Sequence, residues 1–513
     1  MSIQARVLEA LRWTTVTRFG GYLLTGSINL LVIRLLAPED YGLMALCMAW
    51  IGFAEMLSGF GQRTVLIQRP TVDEALVRRI FGALILWNLA LFAFVQTTAS
   101  WLGGFYDNDT LIDILRVLSA SILLASIAIL PAALRWREID FRSVSLVALA
   151  QAVSASLIIL TLALRGFGVW ALVWGQVGGT VVHTVGILWV TRFRLRPSFR
   201  VGGLGAEARF GAPVTARSLV AFFDRQIDTI LIGKLLGSVP LGAYSVAGSV
   251  SKQPTRVLLQ PIQRVATPTF ARIQDDPEQI RSYYLRSVEA VVFVFIPLIW
   301  GLGVVADDLV TFVMGDRWLA AIPLLQILCI AIPLQAPMRI LSSTLDGLGR
   351  PEIALRQALT VAVCMPIGIV VGASYGIAGA AVGWTIARLI AMAINLRRAL
   401  PIVGVGFGSV ARLVAPTLAM GAVMGVAVLA AKAGPFAGLA PWLRLPASIA
   451  WGAVVFGAGT AIVNRPLLVR YVALARRSLR GGGDGAASGS DPGGSGPSGS
   501  GPSGSGGTPS SSA

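Results

Sequence analysis

The sequence predicts an all-α polytopic membrane protein of about fourteen transmembrane helices, built as two six-helix lobes related by a parallel repeat, with two helices appended. Three observations predict it. Of the 513 residues, 55% are hydrophobic and only 13% are charged, with a mean hydropathy of +0.74; a soluble chain carries about 25% charge. Apolar segments of about 20 residues, the length a helix needs to cross a hydrocarbon core, recur between turn and charge signals. Two sequence matches then relate the first half of the chain to the second.

The apolar segments are 13–36, 41–60, 80–101, 111–134, 144–164, 168–190, 212–236, 241–267, 284–305, 318–345, 355–374, 377–396, 409–431 and 446–463. The first, seventh, eighth and tenth are interrupted by Arg, Lys, Asp, Gly or Pro. An even count puts both termini on one side, and loop charge says which. With the amino terminus inside, the cytoplasmic segments before Gly481 hold 24 Lys plus Arg, among them Arg192, Arg194, Arg196, Arg200, Arg397 and Arg398. The outside loops hold about four, Arg165, Arg317, Lys432 and Arg444, together with Asp107, Asp109, Asp307 and Asp308. The positive-inside rule places both termini in the cytoplasm.

The repeat is read from residues at fixed offsets. Arg34-Leu35-Leu36 and Tyr41-Gly42 correspond to Lys234-Leu235-Leu236 and Leu241-Gly242, at 234 − 34 = 200. Gly168 to Gly175 resembles Gly376 to Gly383, at 376 − 168 = 208. An even number of spans per unit makes the repeats parallel, with an axis along the membrane normal, and such transporters bind between lobes. The expected organisation is an N-lobe over 1–200 (spans one to six), a C-lobe over 201–400 (spans seven to twelve), and spans thirteen and fourteen over 401–464. A basic segment over 465–480, with Arg465, Arg470, Arg476, Arg477 and Arg480, suits anionic headgroups. The Gly/Ser/Pro tail over 481–513 has almost no apolar content and is expected to be disordered.

Composition excludes several classes. A net charge of +17 suggests nucleic acid in a soluble chain, but here it is the basic bias of cytoplasmic loops, and no nucleic acid is expected. Cys47, Cys329 and Cys364 stand singly in apolar segments, without a disulfide framework. One histidine, His183, makes no metal constellation, and no cofactor is expected. The amino terminus shows no removable signal peptide. No Ser/His/Asp arrangement, no phosphate-binding Walker loop and no paired extracytoplasmic acids are present, so the chain is read as a transporter and not an enzyme.

The chemistry lies in charges inside the spans. In span seven, Asp224, Arg225 and Asp228 follow Arg217 at i+7, i+8 and i+11, offsets that return to one side of a helix. A charge near the bilayer centre costs a few kcal/mol or more, so this side faces a watery cavity or a charged ligand. Span eight carries Lys252, Arg256, Gln260 and Gln263 on one face; span one carries Arg18, Thr25 and Asn29; span two contributes Glu55. Arg339 and Asp346 in span ten and Arg388 in span twelve are further intramembrane polar residues. Arg18, Arg217, Arg225, Lys252 and Arg256 outnumber Glu55, Asp224 and Asp228, which points to an anionic ligand. Other readings of these residues stand beside this one. Arg217 with Asp224 or Asp228 makes an internal salt bridge, Asp224 with Asp228 holds a coupling Na⁺ or H⁺, and Lys252 and Arg256 snorkel to the surface.

The run Val32-Ile33-Arg34-Leu35-Leu36-Ala37-Pro38-Glu39-Asp40-Tyr41-Gly42-Leu43 resembles the start of Wzx-type polysaccharide flippases. Ser58-Gly59-Phe60-Gly61-Gln62-Arg63, Leu66-Ile67-Gln68-Arg69 and Leu345 to Pro351 also fit that family. The family is the polysaccharide transporter branch of the multidrug/oligosaccharidyl-lipid/polysaccharide exporter superfamily. The resemblance, over about residues 1–400, implies an inner-membrane flippase moving an undecaprenyl-diphosphate-linked oligosaccharide repeat unit by alternating access. A polymerase and a chain-length regulator of the same pathway are its expected partners. On this reading Arg18, Arg217, Arg225, Lys252 and Arg256 hold the pyrophosphate. Asp224, Asp228 or Glu55 carries H⁺ or Na⁺ coupling. The alternatives are a peptidoglycan-precursor flippase, a multidrug exporter, and a non-transporting scaffold of the glycan assembly complex.

Overall fold

The computed structural model describes the backbone at residues 20–21, 24–59, 73–137, 141–192, 196–199 and 205–463. Arg18 and Arg63, the basic segment and the tail lie outside the described residues; so does the side chain of Arg217. The described residues up to 458 belong to one compact unit, and 459–463 end the last helix.

The described residues are helical throughout, with no strand among them. In order they are α1 (Leu24–Leu35), α2 (Pro38–Ser58), α3 (Glu74–Tyr106), α4 (Asp109–Arg137), α5 (Phe141–Leu164), α6 (Val169–Thr191), α7 (Gly205–Leu236) and α8 (Ser238–Arg272). Helix α9 runs Pro277–Val304 and α10 is a bent pair, Ala321–Leu334 and Ala336–Gly347. Then come α11 (Pro351–Ala373), α12 (Gly376–Ala399), α13 (Phe407–Ala433) and α14 (Pro441–Val463). Among the described residues ten helices are long and apolar enough to cross a bilayer, and the bent pair makes an eleventh. Helices α7 and α8, at 32 and 35 residues, have the length; charges keep α7 out of the apolar set, and polar and small residues together with Lys252 and Arg256 keep α8 out. This is a multi-pass membrane protein.

Local chemistry explains the starts and breaks. The Asp276 carboxylate accepts from the Glu278 and Gln279 amides at 3.0 Å each, and Pro277 fills the first position of α9, as an N-cap should. Pro297 opens a π turn, Ile296–Trp300, inside α9. Helix α10 bends by 42° at Gln335, between Pro333 and Pro337, because a proline cannot donate to the preceding turn. Gly168 and Gly376, matched at the offset of 208, begin α6 and α12 and share a positive φ of 55° and 78°, which a side chain would strain.

Helix pairs approach through small residues. On α11 and α12 a Cβ at Gly372 would stand 2.2 Å from the Gly379 carbonyl oxygen, and one at Gly383 would stand 2.0 Å from that of Gly368. Small residues four apart let two backbones meet in a bilayer, where apolar burial offers no advantage over lipid. The core along α2, α4, α8 and α9 includes Ile51, Leu115, Phe270, Tyr284 and Phe295, joined by Trp318 from the connection between α9 and α10, all fully buried. Helices α13 and α14 are fastened to the end of α9 by charge. Asp308 has no exposed surface; its carboxylate is 2.9 Å from Lys432 of α13 and is bonded to Arg444 of α14. Lys432 also pairs with Asp307.

Candidate functional site

Four helices each bring a pair of residues, one or two turns apart, to a common polar cluster. Helix α7 brings Asp224 and Asp228, α12 brings Trp384 and Arg388, α10 brings Gln335 and Arg339 astride its bend, and α8 brings Tyr244 and Lys252. Residues four or eight apart fall on the same side of a helix, so each pair presents one face.

Arg388 Nη1 donates to Asp224 Oδ1 at 2.8 Å, and its Nε donates to Gln335 Oε1 at 3.2 Å. The Asp228 carboxylate is 93% buried. It accepts from the Tyr244 hydroxyl at 3.0 Å and from the Thr229 amide at 2.9 Å. Lys252 Nζ stands 3.9 Å from Asp228, beyond hydrogen-bond reach, and 5.7 Å over the Trp384 ring. Tyr244 is therefore the close partner of Asp228, with Lys252 as a longer-range counter-charge. Arg339 lies within electrostatic reach of both Arg388 and Asp224, and its carbonyl accepts from Gln263 at 3.3 Å. Charged pairs of this kind inside a membrane are costly to separate and mark pathways for ions or substrates.

Of the residues expected at the site, the structure brings Asp224, Asp228 and Lys252 together. Asp224 pairs with Arg388, 164 residues away, and Lys252 turns to Asp228 and Trp384 and does not snorkel to a helix end. Arg225 and Arg256 are exposed, and Glu55 is half-buried on α2; no described contact draws these three into the cluster. Arg18 and the side chain of Arg217 lie outside the described residues. Gln335, Arg339, Tyr244, Trp384 and Arg388 complete the cluster. The i, i+4 reading applied to spans ten and twelve would have found four of them.

A second feature sits at the end of the bundle where α2 and α8 begin. A Cβ at Gly42 would stand 1.8 Å from the Ser238 carbonyl oxygen, and a Cβ at Gly242 would stand 1.7 Å from that of Pro38. The two contacts exchange residues related by 238 − 38 = 242 − 42 = 200, the repeat offset. Nearby, Trp318 Nε1 donates to the Ile33 carbonyl at 2.8 Å, and its ring meets the edge of Tyr41 at 5.4 Å. The Tyr106 hydroxyl reaches the Ile230 carbonyl at 3.5 Å, and Lys234 pairs with Asp107 at 3.2 Å. Each of these joins residues 24–199 to residues 205–399.

The fold and this cluster define a multi-pass membrane protein of transporter architecture. The lipid II flippase MurJ, solved in an inward closed conformation, superposes with a TM-score of 0.73 over 89% of this chain and 99% of its own, at 13% identity. The chain belongs to the polysaccharide biosynthesis protein family, whose profile matches residues 31–323. It is 24% identical over 401 residues to the lipopolysaccharide biosynthesis protein WzxC of Escherichia coli K12, covering 76% of this chain and 80% of that one. It is 26% identical to the succinoglycan biosynthesis transport protein ExoT of Rhizobium meliloti, covering 71% and 74%. The resemblance carried by Val32 to Leu43 is thereby borne out.

Proposed function

We propose that this chain is a flippase. It carries undecaprenyl-diphosphate-linked oligosaccharide repeat units across the inner membrane for exopolysaccharide, capsule or O-antigen synthesis, by alternating access. The observation that carries the reading is the intramembrane cluster. Lys252, Arg339 and Arg388 face Asp224 and Asp228 within helices of a polysaccharide biosynthesis family member. Family relatives named for lipopolysaccharide biosynthesis and succinoglycan transport support the substrate class. A cationic excess disfavours an exporter of cationic drugs.

Fourteen spans in two lobes, 1–200 and 201–400, with spans thirteen and fourteen over 401–464, fit the ten apolar helices taken with the bent pair α10 and with α1, α7 and α8, and the exchange between Gly42 and Gly242. Loop charge puts both termini in the cytoplasm and the Gly42–Gly242 end at the periplasm. That end is then the closed gate. Arg18, Arg217, Arg225, Lys252 and Arg256 serve the pyrophosphate, and Asp224, Asp228 or Glu55 serves H⁺ or Na⁺ coupling. A polymerase and a chain-length regulator act with it.

The test is reconstitution of the full chain into proteoliposomes with undecaprenyl-diphosphate-linked repeat units on both leaflets. A membrane-impermeant glycosidase added outside first removes the accessible half. Movement of the protected half into reach, faster than in protein-free vesicles, is the expected result. Equal rates overturn the reading.

A further inference from the structure

We infer that Arg339 and Arg388 form a seat for a phosphate-class anion, for which the Asp224 carboxylate competes. The inference rests on the flippase reading for its ligand, the diphosphate of a lipid-linked glycan, and on the cluster alone for its chemistry.

The charge balance comes first. Among the described residues the cluster holds three cations, Lys252, Arg339 and Arg388, and two carboxylates, Asp224 and Asp228, a sum of 3 − 2 = +1. An uncompensated charge in a low-dielectric interior is unfavourable, so the cluster favours one more negative group. The carboxylates are also unevenly placed. Asp228 is engaged by Tyr244, the Thr229 amide and Lys252. Asp224 alone serves the arginines, with its bond on Arg388.

Arg339 is then the less satisfied guanidinium. Its Nε is buried without a hydrogen-bond partner, although a buried donor ordinarily finds one. It sits one turn from Gln335, whose side chain accepts from Arg388 Nε at 3.2 Å, so α10 carries Arg339 next to the residue that holds Arg388. Gln335 and Asp224 together take two of the five N–H donors of Arg388. A diphosphate has several oxygens of high charge density and forked acceptor geometry, and it can bond Arg339 and Arg388 at once. Asp224 has a single carboxylate and bonds one. Arrival of the diphosphate displaces Asp224 from Arg388, and its departure restores the ion pair, so neither state leaves the arginine unpaired.

The test is equilibrium binding to the full chain in lipid nanodiscs, with farnesyl diphosphate, inorganic pyrophosphate and farnesol as probes. Arg339→Gln and Arg388→Gln should each raise the Kd for farnesyl diphosphate about tenfold or more, the loss of a charge-assisted bond. Asp224→Asn should lower it several-fold. That opposite sign cannot come from misfolding. Farnesol binding should be the same in all variants. Tighter arginine-dependent binding of farnesyl diphosphate than of inorganic pyrophosphate marks the lipid-linked ligand, and equal binding marks a seat for free phosphate anions. Wild-type Kd in Arg339→Gln, weaker binding in Asp224→Asn, or no diphosphate binding by the wild type overturns the seat. The outcomes separate from those of the flipping assay. Flipping with unchanged Arg339→Gln binding removes the seat and leaves the function, whereas arginine-dependent binding without flipping keeps the seat and removes the function.

Discussion

Gly42 and Gly242 pack against one another's helix starts: the Cα of each faces a carbonyl oxygen that precedes the other, Ser238 for Gly42 and Pro38 for Gly242. A contact in which i meets j and its equivalent meets i in return is the mark of two-fold relatedness. Here it falls within one chain, on residues 200 apart, and it requires glycine on both sides because the opposing atoms are backbone and cannot step aside.

Gly42→Ala and Gly242→Ala should each force α2 and α8 apart, with a destabilisation of at least about 1–3 kcal/mol, as for overpacking. The expected readout is a lower apparent unfolding temperature in detergent. The double variant should be less destabilised than the sum of the two, because the first substitution already opens the space for the second. Strict additivity would mean that the two contacts are independent.

If this end is the periplasmic gate, fixing it shut should stop transport. Asp107 and Lys234 meet at 3.2 Å, with side chains 83% and 39% exposed, so cysteines there can be joined by a short bismaleimide after Cys47, Cys329 and Cys364 are replaced. Crosslinked protein should lose flipping, and the uncrosslinked double cysteine variant should keep it. As an exposed pair it contributes about 0–1 kcal/mol, so Asp107→Asn alone should leave the unfolding temperature unchanged.

Tyr244 and Asp228 should behave as a unit. Tyr244→Phe leaves a buried carboxylate without its closest side-chain partner, at about 1–3 kcal/mol. Asp228→Asn should slow transport to a similar degree, and the double variant should be no worse than the poorer single one. Two full, additive losses would assign the residues separate tasks.

The Asp308 network gives the largest expected stability effect. Asp308→Asn leaves Lys432, mostly buried, and Arg444 facing each other without their shared carboxylate. Breaking a buried ionic cluster by one member costs about 3–5 kcal/mol. Combining Asp308→Asn with Arg444→Met should recover part of the lost unfolding temperature, since Arg444 is the cation left without a carboxylate while Lys432 keeps Asp307.

Much of this architecture is legible in the sequence, because lipid imposes period and length on every span. The charged stripe of α7 is legible for the same reason: Asp224 and Asp228 stand out against apolar neighbours. What periodicity does not carry is the partner. Asp224 finds Arg388 across 164 residues, a pairing set by how α7, α10 and α12 converge. Arg225 shows a second limit. It lies one residue, about 100°, from Asp224, and a stripe drawn wide enough to include both spans two faces of the helix. Arg339 and Arg388 were visible as intramembrane charges but, each taken singly, gave no face. The charges that make α7 informative are also what separate it from the ten apolar helices.

The Asp308 cluster also bears on the order of synthesis. Asp308 leaves the ribosome 432 − 308 = 124 residues before Lys432 and 136 before Arg444. Until α13 and α14 are inserted, its carboxylate waits at the membrane without either mate. A chain cut short after α12 therefore keeps a stranded acid where the full-length chain has a closed network.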